Sequence, residues 1–361
     1  MGCTTVAKAG SVSGRRAIYL LVAALATAPA AWGLKYAAPA HDLKPDPDIP
    51  VWKPASLRLE PHEELTIVGA DVMDEMTLGW VRMMRQAYPT LSVTMEARAS
   101  GTGGPGLTAG ISDLAPVGRE LLPAEEEAFV AKFGYMPTAI RVATGSVGSL
   151  GKTAASIIMV DADNPIECLS LEQLDGIYSQ ERRRGGPAIR TWGDLGLKGD
   201  WTQRPIHLYG LRRPNGIEQY FQMEVLLGGA YRDGIEFVKG KGFTHAFNVA
   251  AELMAERPGG LTYALMANLQ PNTRVVPLSA ETGGECFAPT TETIYNHSYP
   301  LSRYVYIFVN KVPGQPVAPK IKEFLRAVLS WEGQLQVAKD RVYIPLQPEV
   351  VREELKKVDA L

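Results

Sequence analysis

The sequence contains few residues of the types that bind transition metals, with three cysteines and five histidines among 361 residues. A structural zinc site needs four cysteine or histidine ligands at short spacings, and the chain has no cluster of cysteines. The histidines are scattered, at His41, His62, His207, His245 and His297. We therefore expect no metal site and no other cofactor.

Neither sign of charge is in large excess. The chain has 37 Lys and Arg against 39 Asp and Glu, a formal net charge of −2 and a pI of about 6.3. Proteins that bind nucleic acid through their overall field carry a strongly basic face, so we expect no nucleic-acid partner. An anionic ligand would have to be bound by a local arrangement of donors.

The N-terminal segment has the pattern of an export signal. Lys8, Arg15 and Arg16 precede an apolar run at 17–26, and small residues follow at 28–30. This order predicts a signal peptide at 1–30, although an uncleaved anchor helix remains an alternative, and the paired arginines leave a twin-arginine signal open. Each interpretation places the folded part of the chain outside the cytoplasm.

The remaining cysteines, Cys168 and Cys286, have two interpretations. They could form a disulfide in an oxidising compartment, or they could be buried free thiols. The sequence offers no reason to prefer one.

The length and the 46% hydrophobic content allow two cores. Residues 31–56 contain several prolines, and this composition predicts an extended tether. We predict that residues 57–160 and 272–361 form lobe I and that residues 161–271 form lobe II. Strand-like and helix-like segments alternate, which favours an α/β fold with a parallel, doubly wound sheet. We predict strands at 65–68, 91–96, 111–115, 157–160, 206–210, 261–264, 275–278 and 304–309. We predict helices at 73–88, 125–133, 174–178, 217–227, 317–329 and 331–338.

A glycine-rich loop at 99–104 follows the second predicted strand. Successive glycines let backbone N–H groups point into one hollow, and Ser100 and Thr102 add hydroxyl donors at a helix start. This loop is a candidate anion site, although an exposed Gly/Ser turn has the same composition.

A second candidate lies at 211–216, between a strand and a helix. Arg212 and Arg213 could offer forked hydrogen bonds to an oxyanion. Surface arginines beside a proline turn are the alternative. The arginine run at 182–184 is interpreted as a solvated face.

Three other motifs compete with these interpretations. Gly101, Gly103 and Gly106 match a dinucleotide fingerprint, but the helix after them is too short for that unit. Residues 146–153 resemble a nucleotide-triphosphate loop but lack its first glycine, and Ser149 with Lys152 lacks the companion motifs of a serine hydrolase. We therefore predict that the protein is not an enzyme, and we keep an exported dinucleotide-dependent enzyme as an alternative.

Several stretches resemble the phosphate-binding proteins of ABC phosphate importers, which are type II periplasmic binding proteins. The resemblance is clearest in YPLSRYVY at 299–306, SWEGQ at 330–334 and YIPL at 343–346, with support from SGT at 100–102 and WGDLG at 192–196. It implies a two-lobed α/β fold with two hinge crossings. It also implies a monomer that clamps phosphate between its lobes and delivers it to an ABC transporter permease.

The resemblance also implies which residues contact the anion. The predicted binding set is Asp71, Ser100, Gly101, Thr102, Arg119, Arg212, Arg213, Asn215 and Gly216. Gly118 and Arg119 stand where many family members have Ser-Asp or Ser-Arg, and Asn215-Gly216-Ile217 replaces Ser-Gly-Thr. Because a guanidinium pairs with any oxyanion, we expect weaker discrimination against sulfate. A binding-altered relative that acts as a membrane sensor or interaction protein is the alternative.

Overall fold

The computed structural model describes residues 41–60, 63–149, 151–211, 216–238 and 243–361, without the side chains of 100 and 243–248. These residues all fall in one compact unit, Tyr36–Leu361. The predicted signal peptide lies outside the described residues. Within the described residues, no helix has the length and apolar character needed to cross a bilayer.

The first sheet has five strands in the order β2-β1-β3-β12-β4. Its strands are β1 Glu64–Ala70, β2 Ser92–Arg98, β3 Leu114–Val117, β4 Thr138–Thr144 and β12 Tyr304–Val309. β1 pairs in parallel with β2 and β3, whereas β12 runs antiparallel to β3 and β4. The parallel arrangement predicted from the sequence therefore holds for the three strands that precede the candidate loops, and the sheet as a whole is mixed.

The second sheet has the order β10-β5-β9-β7-β8. Its strands are β5 Ser156–Asp161, β7 His207–Leu211, β8 Ile235–Val238, β9 Gly260–Leu265 and β10 Thr273–Val276. β7 is parallel to β8 and β9, and β5 is antiparallel to β9 and β10. A separate parallel pair joins β6 Leu169–Ser170 to β11 Leu278–Ser279.

The chain crosses between the two sheets twice, once between β4 and β5 and once between β10 and β12. The predicted lobe boundaries at 160/161 and 271/272 differ from this arrangement. Ser156–Asp161 and Thr273–Val276 both belong to the second sheet, because β5 pairs with β9 and β10 and with no strand of the first sheet. The first crossing therefore lies before Ser156.

Helices cover both sheets. They are α1 Asp74–Ala87, α2 Gly103–Ala109, α3 Pro123–Phe133, α4 Leu171–Tyr178, α5 Gly216–Leu226, α6 Phe243–Glu256, α7 Thr291–Tyr295, α8 Pro319–Val328, α9 Trp331–Ala338 and α10 Pro348–Asp359. The six predicted helices are all present, whereas the helices α6, α7 and α10 were not predicted. α4 begins with a capping box, in which Ser170 Oγ accepts from Gln173 N at 3.0 Å and Gln173 Oε1 accepts from Ser170 N at 2.9 Å. A local sequence signal therefore fixes this helix start.

The described part of the proline-rich segment, residues 41–56, forms neither helix nor strand, and it packs against the first core. Ile49 is 2% exposed, and Trp331 N donates to Pro50 O at 2.9 Å. Trp52 Nε1 donates to the buried Glu323 carboxylate at 2.9 Å. The apolar residues between the prolines explain this departure from the predicted tether, because burying Ile49 favours docking.

Cys168 and Cys286 are joined by a disulfide across 118 residues. This bond settles the question that the sequence left open. It lies near the pair of β6 and β11, where the chain leaves the second sheet.

Candidate functional site

Three loops meet at one edge of the first sheet, because β1, β2 and β3 run parallel and end on the same side. They begin at Asp71, Ala99 and Gly118. The Thr102 hydroxyl lies 3.2 Å from Gly69 O and so connects the first two loops. The edge predicted from the order of strands is therefore present.

The glycine loop forms one short helical turn, Ser100–Thr102, and continues into α2. Thr102 N and Thr102 Oγ1 both donate to Ala99 O, at 2.9 and 2.7 Å. Thr102 therefore uses both its backbone N–H and its hydroxyl hydrogen to stabilise the loop. The backbone of Gly101 and the N-terminal turn of α2 remain as donors to an anion.

Gly103 permits α2 to pack closely on β3. A Cβ at Gly103 would lie 2.7 Å from Val117 Cγ2, which is closer than carbon atoms approach. Glycine at this position therefore brings the start of α2 close to Arg119, two residues beyond Val117.

Asp71 follows β1 directly and is exposed. Its Oδ1 accepts from Val72 N at 2.9 Å. Lys152 Nζ approaches the same loop, 3.3 Å from Val72 O and 3.5 Å from Asp340 Oδ2. Lys152 was not predicted to lie near the site, because in the sequence it belongs to a different motif.

Arg119 is the most constrained cation at this edge. Its Nη1 and Nη2 donate to the two oxygens of Glu125, at 2.7 and 2.9 Å, and Nη1 also donates to Glu120 O at 2.8 Å. Glu125 Oε2 accepts in addition from Leu122 N at 2.8 Å. The side chains of Arg119 and Glu125 are only 12% and 11% exposed. Glu125 therefore fixes the orientation of a largely buried guanidinium.

This pairing leaves the other forked edge of Arg119 available. A guanidinium can present Nε and Nη2 together to one oxyanion, and among the described residues Arg119 Nε has no acceptor. Nη2 lies 4.0 Å from the Cβ position of Gly101, and Nε lies 3.6 Å from that of Gly216. The open edge therefore lies beside both the glycine loop of the first sheet and a helix start of the second, and the place where these two meet is called the gap below.

Gly216 begins α5, an 11-residue helix. The first N–H groups of a helix lack intrahelical partners and carry positive partial charge, so this end of α5 adds anion-attracting donors beside Arg119. Arg212, Arg213 and Asn215, which the sequence analysis placed in the site, lie outside the described residues. The side chain of Ser100 does too.

A second arginine connects the two sheets next to this gap. Arg303 Nη2 pairs with Glu120 Oε2 at 2.8 Å, and its guanidinium lies 4.2 Å from the ring centroid of Tyr220 on α5. Tyr220 OH donates to Ser302 O at 2.9 Å, and burial raises the pKa of Tyr220 well above its usual value. Tyr220 therefore stays a neutral donor that holds α5 to the crossing before β12.

Sequence reasoning missed Glu125, Glu120 and Tyr220. One local signal was available for Glu125, because it is the third residue of a helix that begins with proline, where acids are favoured. Its contact with Arg119 depends on how α3 leaves the sheet. Among the described residues, no group of three or more His, Cys, Asp or Glu side chains is placed to hold a metal ion.

The dinucleotide alternative does not fit the loop. α2 has seven residues, and β3 begins five residues after it ends. A dinucleotide-binding unit requires a longer helix between its strands.

Comparison with known proteins agrees with this arrangement. The profile of the PBP superfamily domain matches residues 55–332. The phosphate-binding protein PstS of Pseudomonas aeruginosa is 32% identical over 314 residues, which cover 87% of this chain and 91% of that protein. PstS of Staphylococcus haemolyticus is 23% identical over 83% of this chain and 85% of its own length. The crystal structure of PstS from Borrelia burgdorferi has a TM-score of 0.50 at 16% identity, covering 79% of this chain and all of that one.

The chain therefore belongs to the PBP superfamily and, within it, to the family of PstS phosphate-binding proteins. The fold class and the resemblance predicted from the sequence are confirmed.

Proposed function

We propose that this protein is a non-enzymatic receptor that binds inorganic phosphate, or a closely similar tetrahedral oxyanion, between two lobes. The observation that carries the proposal is the open edge of Arg119, which faces the gap between Gly101 and Gly216. The names of the relatives support phosphate as the anion. The proposed binding set keeps the predicted residues except Thr102, whose N–H and hydroxyl both donate to Ala99 O, and Arg119 is its central cation.

The two lobes correspond to the two sheets in this proposal, and the crossings before Ser156 and after Val276 act as hinges. An anion held by Arg119 on one side and by the first turn of α5 on the other would bridge them. Binding would then favour the closed arrangement by its differential affinity for that state.

We also propose that the protein acts outside the cytoplasm as a monomer and delivers its ligand to an ABC transporter permease. The charged and apolar pattern at 1–30 supports export. The Cys168–Cys286 disulfide supports an oxidising compartment.

Calorimetry of the purified protein with phosphate and with sulfate tests the ligand assignment. We expect one phosphate bound per chain. We also expect measurable sulfate binding, because guanidinium and amide donors do not require a proton on the anion. Absence of heat with both ions would contradict ligand capture and support the sensor alternative.

Replacing the central cation tests the site. Arg119→Met should weaken phosphate binding by about 100-fold, or about 3 kcal/mol, because two charge-assisted hydrogen bonds are lost and Glu125 is left unpaired. Arg98→Met is the matched control, since Arg98 ends β2 at the same sheet edge but is 69% exposed and pairs with the neighbouring Glu96. Equal affinity in Arg119→Met and the control would refute the assignment.

A further inference from the structure

A second cationic pocket lies at the other edge of the second sheet. It has a volume of about 280 Å³, and its charged lining consists of Arg190, Arg232, Glu236 and Arg257. Strand β7 begins at this pocket with His207 and ends at Leu211. Its C-terminal end leads toward α5 and the gap beside Arg119. The pocket is therefore separate from the proposed phosphate site.

The pocket has more positive than negative groups. Arg257 Nη1 lies 3.3 Å from Glu236 Oε2, and both side chains are about half exposed. Among the described residues, neither Arg190 nor Arg232 has a carboxylate within salt-bridge distance. Asp194 is the nearest acid in sequence, but its Oδ2 accepts from the backbone N–H of Arg190 at 2.8 Å and not from the guanidinium. Among the residues that line the pocket, one carboxylate therefore faces three guanidiniums, and the Asp194 carboxylate beside Arg190 is a second negative charge nearby.

Backbone carbonyls hold two of these arginines in place. Arg232 Nε donates to Ile177 O at 2.7 Å and its Nη1 to Asp233 O at 3.1 Å. Arg190 Nη1 donates to Ile189 O at 2.9 Å and lies 3.3 Å from Gly176 O. These bonds use Nη1 in both side chains and leave Nη2 for another acceptor.

The two arginines also repel each other. Burial, and after it the charge of Arg190, lower the pKa of Arg232. Like charges placed together are unfavourable unless an anion lies between them. The fixed carbonyl contacts prevent the side chains from swinging apart without loss of hydrogen bonds.

We propose that this pocket binds a diphosphate group, in which one oxyanion contacts Arg190 and Arg232 and the other contacts Arg257. Arginine forks match phosphate oxygens in pairs. The volume is just below the range of about 300–1,000 Å³ typical of small-molecule sites. Inorganic pyrophosphate and the diphosphate of a nucleotide share this chemistry.

Calorimetry on the full chain can separate the two sites. The protein is first saturated with phosphate to fill the proposed cleft, and pyrophosphate, ADP or sulfate is then titrated. We expect a second, one-to-one binding event with pyrophosphate that phosphate does not abolish. A similar event with ADP would identify an organic diphosphate as an acceptable ligand. The proposal is overturned if pyrophosphate produces no further binding, or if it only displaces phosphate.

The substitutions that test the pocket are made at exposed residues, because such changes do not disturb folding. Arg190→Gln and Arg257→Gln should each weaken pyrophosphate binding at least tenfold and leave phosphate affinity unchanged. Glu236→Gln should tighten it several-fold, since it removes the lining carboxylate, a result that a merely structural role does not produce. Arg204→Gln is the control, because Arg204 stacks 4.0 Å from the Trp201 ring centroid outside the pocket. Unchanged pyrophosphate affinity in all of the pocket variants would refute the assignment.

Discussion

Arg119 beside the first sheet and Arg232 beside the second are both partly buried, yet they have different partners. Arg119 is paired through two nitrogens with Glu125, which balances its charge and directs one edge toward the gap. In the part of the chain that the structure describes, Arg232 donates to carbonyl oxygens and lies near the charge of another arginine, Arg190. A guanidinium oriented by a carboxylate suits a single small oxyanion, whereas an unbalanced pair suits a ligand with more charge.

Removing Glu125, the carboxylate partner of Arg119, tests this difference between the two arginines most severely. Glu125→Ala should weaken phosphate binding by about 30-fold to 100-fold, since Arg119 loses the contacts that orient it, at a cost of about 2–3 kcal/mol. Glu125→Gln, which keeps one acceptor, should lie between this variant and the wild type. Glu127→Ala on the exposed face of the same helix is the control. Calorimetry with phosphate measures the effect, and an affinity of Glu125→Ala equal to that of the control would show that the pairing does not position Arg119.

Arg141 extends the comparison to stability. It pairs with Glu353 and Glu354, and its charge lies near the half-buried His297. Burial, with a further contribution from Arg141, lowers the pKa of His297 to about 4. The unfolded chain therefore binds the proton more readily, and this contribution to stability is complete above about pH 6.5 and lost as the pH falls toward 4.

We expect the free energy of unfolding to fall by about 2 kcal/mol between pH 7 and pH 5 because of His297. Urea unfolding of the wild type and of His297→Asn measures this difference. Asparagine is a suitable replacement because His297 has a φ of +54°, which Asn tolerates. If both proteins lose the same stability over this interval, the pH dependence does not come from His297.

Ionic strength should affect ligand binding differently at the two arginine sites. The pocket of Arg190 and Arg257 is open to solvent, so raising the ionic strength from 0.05 to 0.5 M should weaken pyrophosphate binding by about tenfold. Phosphate binding at Arg119 should change less, because both members of its ion pair are almost buried. The same titrations in two buffers measure both effects. Equal salt dependence at the two sites would contradict the contrast in exposure.

Replacing a glycine by alanine adds a methyl group and so tests the width of the gap beside Arg119. A Cβ at Gly216 would lie 3.1 Å from Arg119 Cδ, whereas one at Gly101 would lie 4.0 Å from Nη2. Gly216→Ala should therefore weaken phosphate binding about threefold to tenfold, and Gly101→Ala should have a smaller effect. Calorimetry compares the two, and a larger loss in Gly101→Ala would place the anion closer to the glycine loop than we propose.

The sequence predicted features that depend on neighbouring residues. Strand β12 and helix α9 were placed at their observed bounds, because hydrophobic periodicity is a local signal. The glycine loop was located at the correct sheet edge, since parallel strands place their following loops together. The individual site residues remain predictions.

The features that sequence reasoning missed depend on long-range packing. The docking of Ile49, the membership of β5 in the second sheet and the pairing of Arg303 with Glu120 all join distant segments. The convergence of Arg190, Arg232 and Arg257 likewise depends on three separate loops meeting at one edge. Composition and spacing hold no information on such contacts.

A crystal structure of the protein with phosphate tests the central claim most directly. We expect one phosphate between the two sheets, with oxygens about 2.7–3.2 Å from Arg119 Nε and Nη2 and a further oxygen facing the N-terminal turn of α5. A phosphate bound elsewhere, with the open edge of Arg119 in contact with solvent alone, would contradict the account.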